Sequence, residues 1–166
     1  WGGITSLMLN LGAFCGIYTF SRVTHHLGRR KTFALAFISA MLSTALVFGF
    51  LSDRTTELFG YTLFVDVFWM IPLMGFCQLS IFGGYAIYFP ELFPTRLRST
   101  GTSFCYNVGR FVAAIGPFTL GALAAGVFKD TAEPLRWAGL SMCSIFLLGL
   151  VVLPFAPETK GQPLPE

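Results

Sequence analysis

The chain of 166 residues is 54% hydrophobic and only 11% charged, with 18 glycines and 19 phenylalanines, and its mean hydropathy is +0.69. Soluble domains carry about a quarter charged residues, so a water-soluble globular fold is excluded, and without period-two alternation a membrane β-barrel is disfavoured. The net charge of +3 is small and needs no nucleic-acid partner.

Five stretches of about twenty residues, nearly free of charge, predict five membrane-crossing helices over about residues 4–22, 32–51, 67–89, 100–128 and 137–156. The expected fold class is an all-α polytopic membrane protein, with a helical bundle over 1–156 and a polar tail over 157–166. The chain opens at Trp1 without a methionine and enters an apolar run within three residues, so it reads as a fragment of a longer protein.

The first apolar run, Ile4 to Phe20, carries Asn10, a candidate for hydrogen bonding between helices. His25, His26, Gly28, Arg29, Arg30 and Lys31 follow before the second span. Adjacent histidines on a helix point about a hundred degrees apart and do not share a metal. Cys15, Cys77, Cys105 and Cys143 all sit in apolar runs without ligand spacing, so neither a metal nor any other cofactor is expected. After the second span, the connector Ser52 to Asp66 has the turn formers and acids of a solvated cap. Gln78 and the pair Gly83-Gly84 lie in the third span, the glycines suggesting local flexing. Pro90 and Pro94 end that span. Apart from Arg22 at the very end of the first span, Arg110 is the lone formal charge inside any span, Gly116-Pro117 predicts a bend two turns beyond it, and Gly121, Ala122, Ala125 and Gly126 offer small faces for tight helix contact.

Short connectors at Gly28 and at Pro90 to Pro94 make successive helices antiparallel, giving an up-and-down bundle. Arg22 to Lys31, Arg96 with Arg98, and Lys160 place seven basic residues on one side, against three (Arg54, Lys129, Arg136) on the other. The richer side, including the C-terminus, is therefore expected in the cytoplasm of a plasma or bacterial inner membrane.

Between the third and fourth spans the chain reads Glu91-Leu92-Phe93-Pro94-Thr95-Arg96-Leu97-Arg98, followed by Gly101. This resembles the major facilitator superfamily, whose solute porters join their tenth and eleventh helices by a Glu-Leu-(Phe/Tyr)-Pro-Thr-x-x-Arg-x-x-Gly connector. Gly28-Arg29-Arg30-Lys31 resembles the basic end of that superfamily's repeated loop signature, and Pro157-Glu158-Thr159-Lys160-Gly161 resembles the sugar-porter tail. The resemblance implies helices eight to twelve of a twelve-helix porter, with the amino-terminal half as the natural partner, working by alternating access on a small solute in the lipid bilayer. One departure stands out: His25 and His26 occupy the segment where the loop signature carries an acid, so a latch relying on that acid would be weakened or become pH-sensitive.

Glu91 and Glu158 lie at the basic ends of spans beside Arg29, Arg30, Arg96 and Arg98, a set that the resemblance implies closes a cytoplasmic gate. Solvated topology signals are the alternative reading. Arg110 lies twelve residues beyond Arg98, about 18 Å along a helix and near mid-bilayer. A guanidinium there costs on the order of 3 kcal/mol and needs a water-filled cavity or a partner. No acid in these spans matches its depth. The counter-charge is then an anionic solute, gripped through two parallel hydrogen bonds, or an acid from another segment. In organic-anion members a basic residue in this part of helix eleven is associated with anion recognition, which Asn107-Val108-Gly109-Arg110 resembles. Tyr106 and Asn107 lie on or beside the same face, and Gln78 is the further candidate contact.

The reading is therefore a piece of a secondary transporter for an organic anion or carboxylate metabolite. A sugar or polyol porter is the first alternative, and a non-transporting receptor or structural subunit the second. A co-transported proton would titrate on a group outside these spans. No nucleophile with a base lies at depth, so an enzyme is not expected.

Overall fold

The computed structural model describes residues 2–50, 55–58 and 61–165. Leu51 and Ser52 to Arg54, which the sequence reading assigns to the end of the second span and its connector, lie outside the described residues. Helices α1 (Gly2–Leu27), α2 (Arg29–Phe50) and α3 (Val67–Leu92) are each continuous, and five helical stretches are long and apolar enough to cross a membrane. At 26 residues, α1 and α3 reach about 39 Å, more than the roughly 30 Å hydrocarbon layer. The expected all-α polytopic architecture is borne out. One small addition is a two-stranded antiparallel hairpin in the connector before α3, β1 (Thr55–Leu58) with β2 (Tyr61–Phe64), in the register Thr55 opposite Phe64.

A single residue joins α1 to α2. Gly28 has φ +88°, its N–H closes α1 by donating to the Thr24 carbonyl at 3.1 Å, and the left-handed conformation turns the chain into the next helix at once. The fourth span is broken into α4 (Arg98–Ala113), α5 (Ile115–Ala122) and a π-helical turn Leu123–Val127. The break falls at Ala114, three residues before Pro117, because that proline has no N–H for the Ala113 carbonyl and its ring crowds it. The predicted bend therefore lies slightly ahead of Gly116-Pro117. The fifth span divides into α6 (Pro134–Met142), α7 (Ile145–Val152) and a 3₁₀ turn Leu153–Phe155. At its break, Cys143 and Ser144 donate side-chain hydrogen bonds to the Gly139 and Ser141 carbonyls, the local competition that loosens a helix.

Helix α3 is central and packs most extensively against α1. A methyl group built on Gly12 or Gly16 of α1 would run into the backbone of Pro72 or Phe76, and one on Gly75 would run into that of Leu9. These glycines let two backbones touch, the usual way helices associate in lipid. Gly75→Val should force the pair apart and lower stability by roughly 1–3 kcal/mol, seen as an earlier thermal unfolding midpoint in detergent. The glycines of the small face predicted to pack tightly do not do so among the described residues: methyl groups on Gly121 and Gly126 would meet nothing within 4 Å. Gly83 and Gly84 serve packing instead of flexing, since Gly84 makes room for the rings of Phe20 and Phe33.

Two buried clusters lie at opposite ends of the bundle. Phe20, Phe33, Ala36, Ala40, Ile81 and Tyr88 form one, with Phe33 set edge-on to Phe20 at 5.2 Å and to Tyr88 at 5.6 Å. Val47, Met70 and Ile71 form the other. The exterior is apolar, and α4 and α5 have no buried residue: Phe104, Phe111 and Phe118 stand fully outward, as a lipid or protein neighbour requires.

Candidate functional site

The polar chemistry collects in two places. At the end of the bundle where α1 meets α2, the Arg29 guanidinium grips Glu91 with both prongs: Nη2 lies 2.6 Å from Oε1, and Nε donates to Oε2 at 3.0 Å. Their side chains are only 10% and 17% exposed, so the pair is held largely out of water, where planar two-pronged pairing is strongest. Glu91 Oε2 also accepts from the Thr159 hydroxyl at 2.5 Å, and the Tyr88 hydroxyl donates to the Pro157 carbonyl at 2.7 Å. The tail is thereby stapled across the ends of α2 and α3.

The other predicted members of this set are placed differently. Glu158 does not meet a guanidinium; its carboxylate accepts the backbone N–H of Arg29 at 2.9 Å and of Arg30 at 3.1 Å, capping the start of α2 from outside the helix. Arg30 Nη2 donates to the Pro154 carbonyl, and Arg98 Nε to that of Pro90. Arg96 is exposed and makes no hydrogen bond or ion pair among the described residues. Partial burial works to raise the Glu158 pKa, but three backbone N–H donors and the nearby Arg29 charge outweigh it and hold the carboxyl below its ordinary value. A depressed folded-state pKa means that the capping contribution is full above the unfolded-state value and fades as pH falls through and below the ordinary glutamate range. Glu158→Gln should therefore flatten the acid limb of a plot of thermal stability against pH. Glu158→Ala should cost about 1 kcal/mol near neutrality, as loss of a helix cap does.

The second place is a cavity of about 490 Å³ opening between α3 and α4. Three of the four predicted contact residues, Gln78, Tyr106 and Arg110, line it, whereas Asn107 does not and instead donates to the Ser103 carbonyl of its own helix at 2.9 Å. Asn10 likewise bonds back to its own helix, at the Ser6 carbonyl. Arg110 is exposed at the cavity wall, and its guanidinium makes no hydrogen bond or ion pair among the described residues. Gln78 is anchored, its amide nitrogen donating at 2.5 Å to the Thr44 hydroxyl of α2, which in turn donates to the Ala40 carbonyl. Five aromatic residues make up much of the remaining wall, Phe37, Phe82, Tyr85, Phe89 and Phe146, alongside small and aliphatic ones. Tyr85 and Phe89 stack at 5.0 Å with planes 3° apart, and Tyr106 meets Phe89 edge-on at 5.4 Å. This wall was missed by reading polar residues alone. Its signal is the spacing of Phe82, Tyr85 and Phe89, which recur on one face of a helix.

The profile of the sugar (and other) transporter family matches residues 1–166, the whole chain. The chain belongs to that family. It is 29% identical over 169 residues to the inner membrane metabolite transport protein YdjE of Escherichia coli, covering 98% of this chain and 33% of that one. It is 34% identical over 100 residues to the cis,cis-muconate transport protein of Acinetobacter baylyi, covering 60% of this chain and 22% of that one. To human solute carrier family 22 member 11 it is 28% identical over 188 residues, covering 100% and 32%. The chain thus spans about a third of the length of the curated relatives that it matches. No solved structure matches it. Family membership bears out the resemblance to a superfamily of solute transporters, and with the five candidate spans it makes the chain an integral multi-pass membrane protein.

Proposed function

We propose that these residues form the solute-binding side of a porter that moves an organic anion, a small carboxylate metabolite, by alternating access. The observation that carries this reading is Arg110, a guanidinium without a carboxylate partner among the described residues, set in a cavity whose other lining residues are chiefly apolar, half of them aromatic. An unpaired cation at that depth favours an anionic occupant, and flat apolar rings suit a carbon skeleton. A sugar is the weaker fit. Its hydroxyls need several hydrogen-bond partners, and the amide nitrogen of Gln78, the one carboxamide in the cavity wall, is already committed to Thr44. Similarity to a cis,cis-muconate transport protein supports the same reading.

In this reading the Arg29–Glu91 pair, the Glu158 cap and the tail close the cytoplasmic end, with Arg30, Arg96 and Arg98 as the surrounding basic set. The C-terminus faces the cytoplasm, as the excess of basic residues at that end favours. The natural partner is the remainder of a longer chain, which supplies the opposite wall of the path and any group that couples transport to a proton. Reconstitution of the full-length protein in liposomes, with uptake of radiolabelled cis,cis-muconate compared with labelled glucose, tests the proposal. Saturable muconate uptake without glucose uptake is expected; glucose uptake alone would favour the sugar porter, and flux of neither the non-transporting subunit.

A further inference from the structure

We propose that the groove between the start of α2 and the end of the fifth span seats the headgroup of an anionic phospholipid, with its first acyl carbons on the apolar floor. The groove encloses about 440 Å³ and is lined by Arg30 and Lys31 at its mouth and by Ala34, Leu150, Leu153 and Pro154 along its length. Neither cation has an ion-pair partner among the described residues. Arg30 uses one nitrogen on the Pro154 carbonyl at 2.7 Å, which fixes the guanidinium at the rim while leaving its other N–H groups available. Lys31 is exposed and makes no hydrogen bond. Glu158 also borders the groove, but its two oxygens are taken up by the backbone N–H groups of Arg29, Arg30 and Lys160.

Depth selects a lipid over a soluble anion. Arg30 and Lys31 stand in the first turn of one candidate span, and Leu153 and Pro154 in the last turn of another, so the groove lies at the level of phospholipid phosphates. Below the cations the lining is aliphatic, and Leu35, Ile38, Leu147 and Val151 nearby face outward as bilayer-exposed side chains. A free phosphate would meet two charges and then carbon. A phospholipid satisfies both parts. The groove is separate from the Arg110 cavity, and the inference holds whichever solute is carried.

The test is native mass spectrometry of the full-length protein in detergent, titrated with phosphatidylglycerol, phosphatidylcholine or glycerol 3-phosphate. Phosphatidylglycerol should remain bound in preference to phosphatidylcholine, and glycerol 3-phosphate should neither bind nor displace it. Lys31→Gln, which removes a side chain with no hydrogen bond to lose, should lower phosphatidylglycerol occupancy about fivefold, the expected share of one interfacial cation. Ala34→Phe should do the same by filling the floor without altering charge. Equal retention of the two lipids, displacement by glycerol 3-phosphate, or unchanged occupancy in both variants would overturn the assignment.

Discussion

Glu91→Gln is expected to collapse transport by the full-length protein and shift its conformational balance at least tenfold toward the state open at the cytoplasmic end. The substitution keeps the side-chain volume but removes the charge that Arg29 grips through two hydrogen bonds and that Thr159 also contacts. It leaves Arg29, 8% exposed, without its counter-ion. Removing one member of such a pair costs up to about 3–5 kcal/mol when fully buried, and less here, where one edge is solvated. Because Glu91 lies on α3, Arg29 on α2 and Thr159 on the tail, separating these three ends ruptures all the ties together. A conformation that keeps them joined loses more than one that has already parted them, and this difference sets the population shift. Cys105 lines the Arg110 cavity and supplies the readout, its labelling by an impermeant thiol reagent from the cytoplasmic side, in a background free of other cysteines. Labelling should speed up in Glu91→Gln and return toward the parent rate when Arg29→Glu and Glu91→Arg are combined. Unchanged labelling with lost stability would make the cluster a structural staple only.

What was legible in the sequence follows from the bilayer's demands. Length and apolarity of each stretch, the breaking residues between them and the lone charge deep within one of them depend on local composition, so five spans and the position of Arg110 could be read without coordinates. Partner choice is a different matter. Glu91 and Glu158 look equivalent as acids at the ends of spans, yet one pairs with a guanidinium and the other caps a helix. The difference arises because Gly28 turns the chain so tightly that the first N–H groups of α2 point at the tail. Such a choice depends on residues about 130 positions apart and leaves no local pattern.

Small residues show the same divide. Gly12, Gly16 and Gly75 mark a close helix contact, whereas at the more conspicuous repeat methyl groups on Gly121 and Gly126 would meet nothing within 4 Å among the described residues. Composition identifies a surface capable of close approach, and only the fold decides which one finds a partner. In the cavity, hydrogen-bonding capacity singled out Gln78, Tyr106, Asn107 and Arg110. Asn107 nonetheless does not line it, because the cavity-facing stripe of α4 runs through Cys105, Tyr106, Gly109, Arg110 and Ala113, with Arg110 at one edge and Asn107 about 60° beyond it.

Arg110→Leu is expected to abolish carboxylate uptake, lowering kcat/KM by at least a hundredfold, while raising the thermal stability of the solute-free protein. Loss of uptake follows from removing a charged hydrogen-bonding group whose deletion typically costs about 2–5 kcal/mol of binding. The stability gain follows from the same isolation: a guanidinium near mid-bilayer without a counter-ion carries a penalty on the order of 3 kcal/mol, which leucine does not. Arg110→Lys should keep the charge and lose the two-pronged geometry, giving intermediate uptake with a raised KM. The pairing of the two readouts separates the competing explanations of this residue. If a fixed acid from another part of the full-length chain neutralises Arg110, leucine strands that acid in a low-dielectric setting, and stability falls together with activity. If the counter-ion arrives with the solute, stability rises, and the thermal shift that cis,cis-muconate produces in the parent protein disappears in the variant. A thermal unfolding series on parent, leucine and lysine forms, each with and without muconate, therefore decides whether Arg110 is part of the scaffold or part of the grip on the cargo.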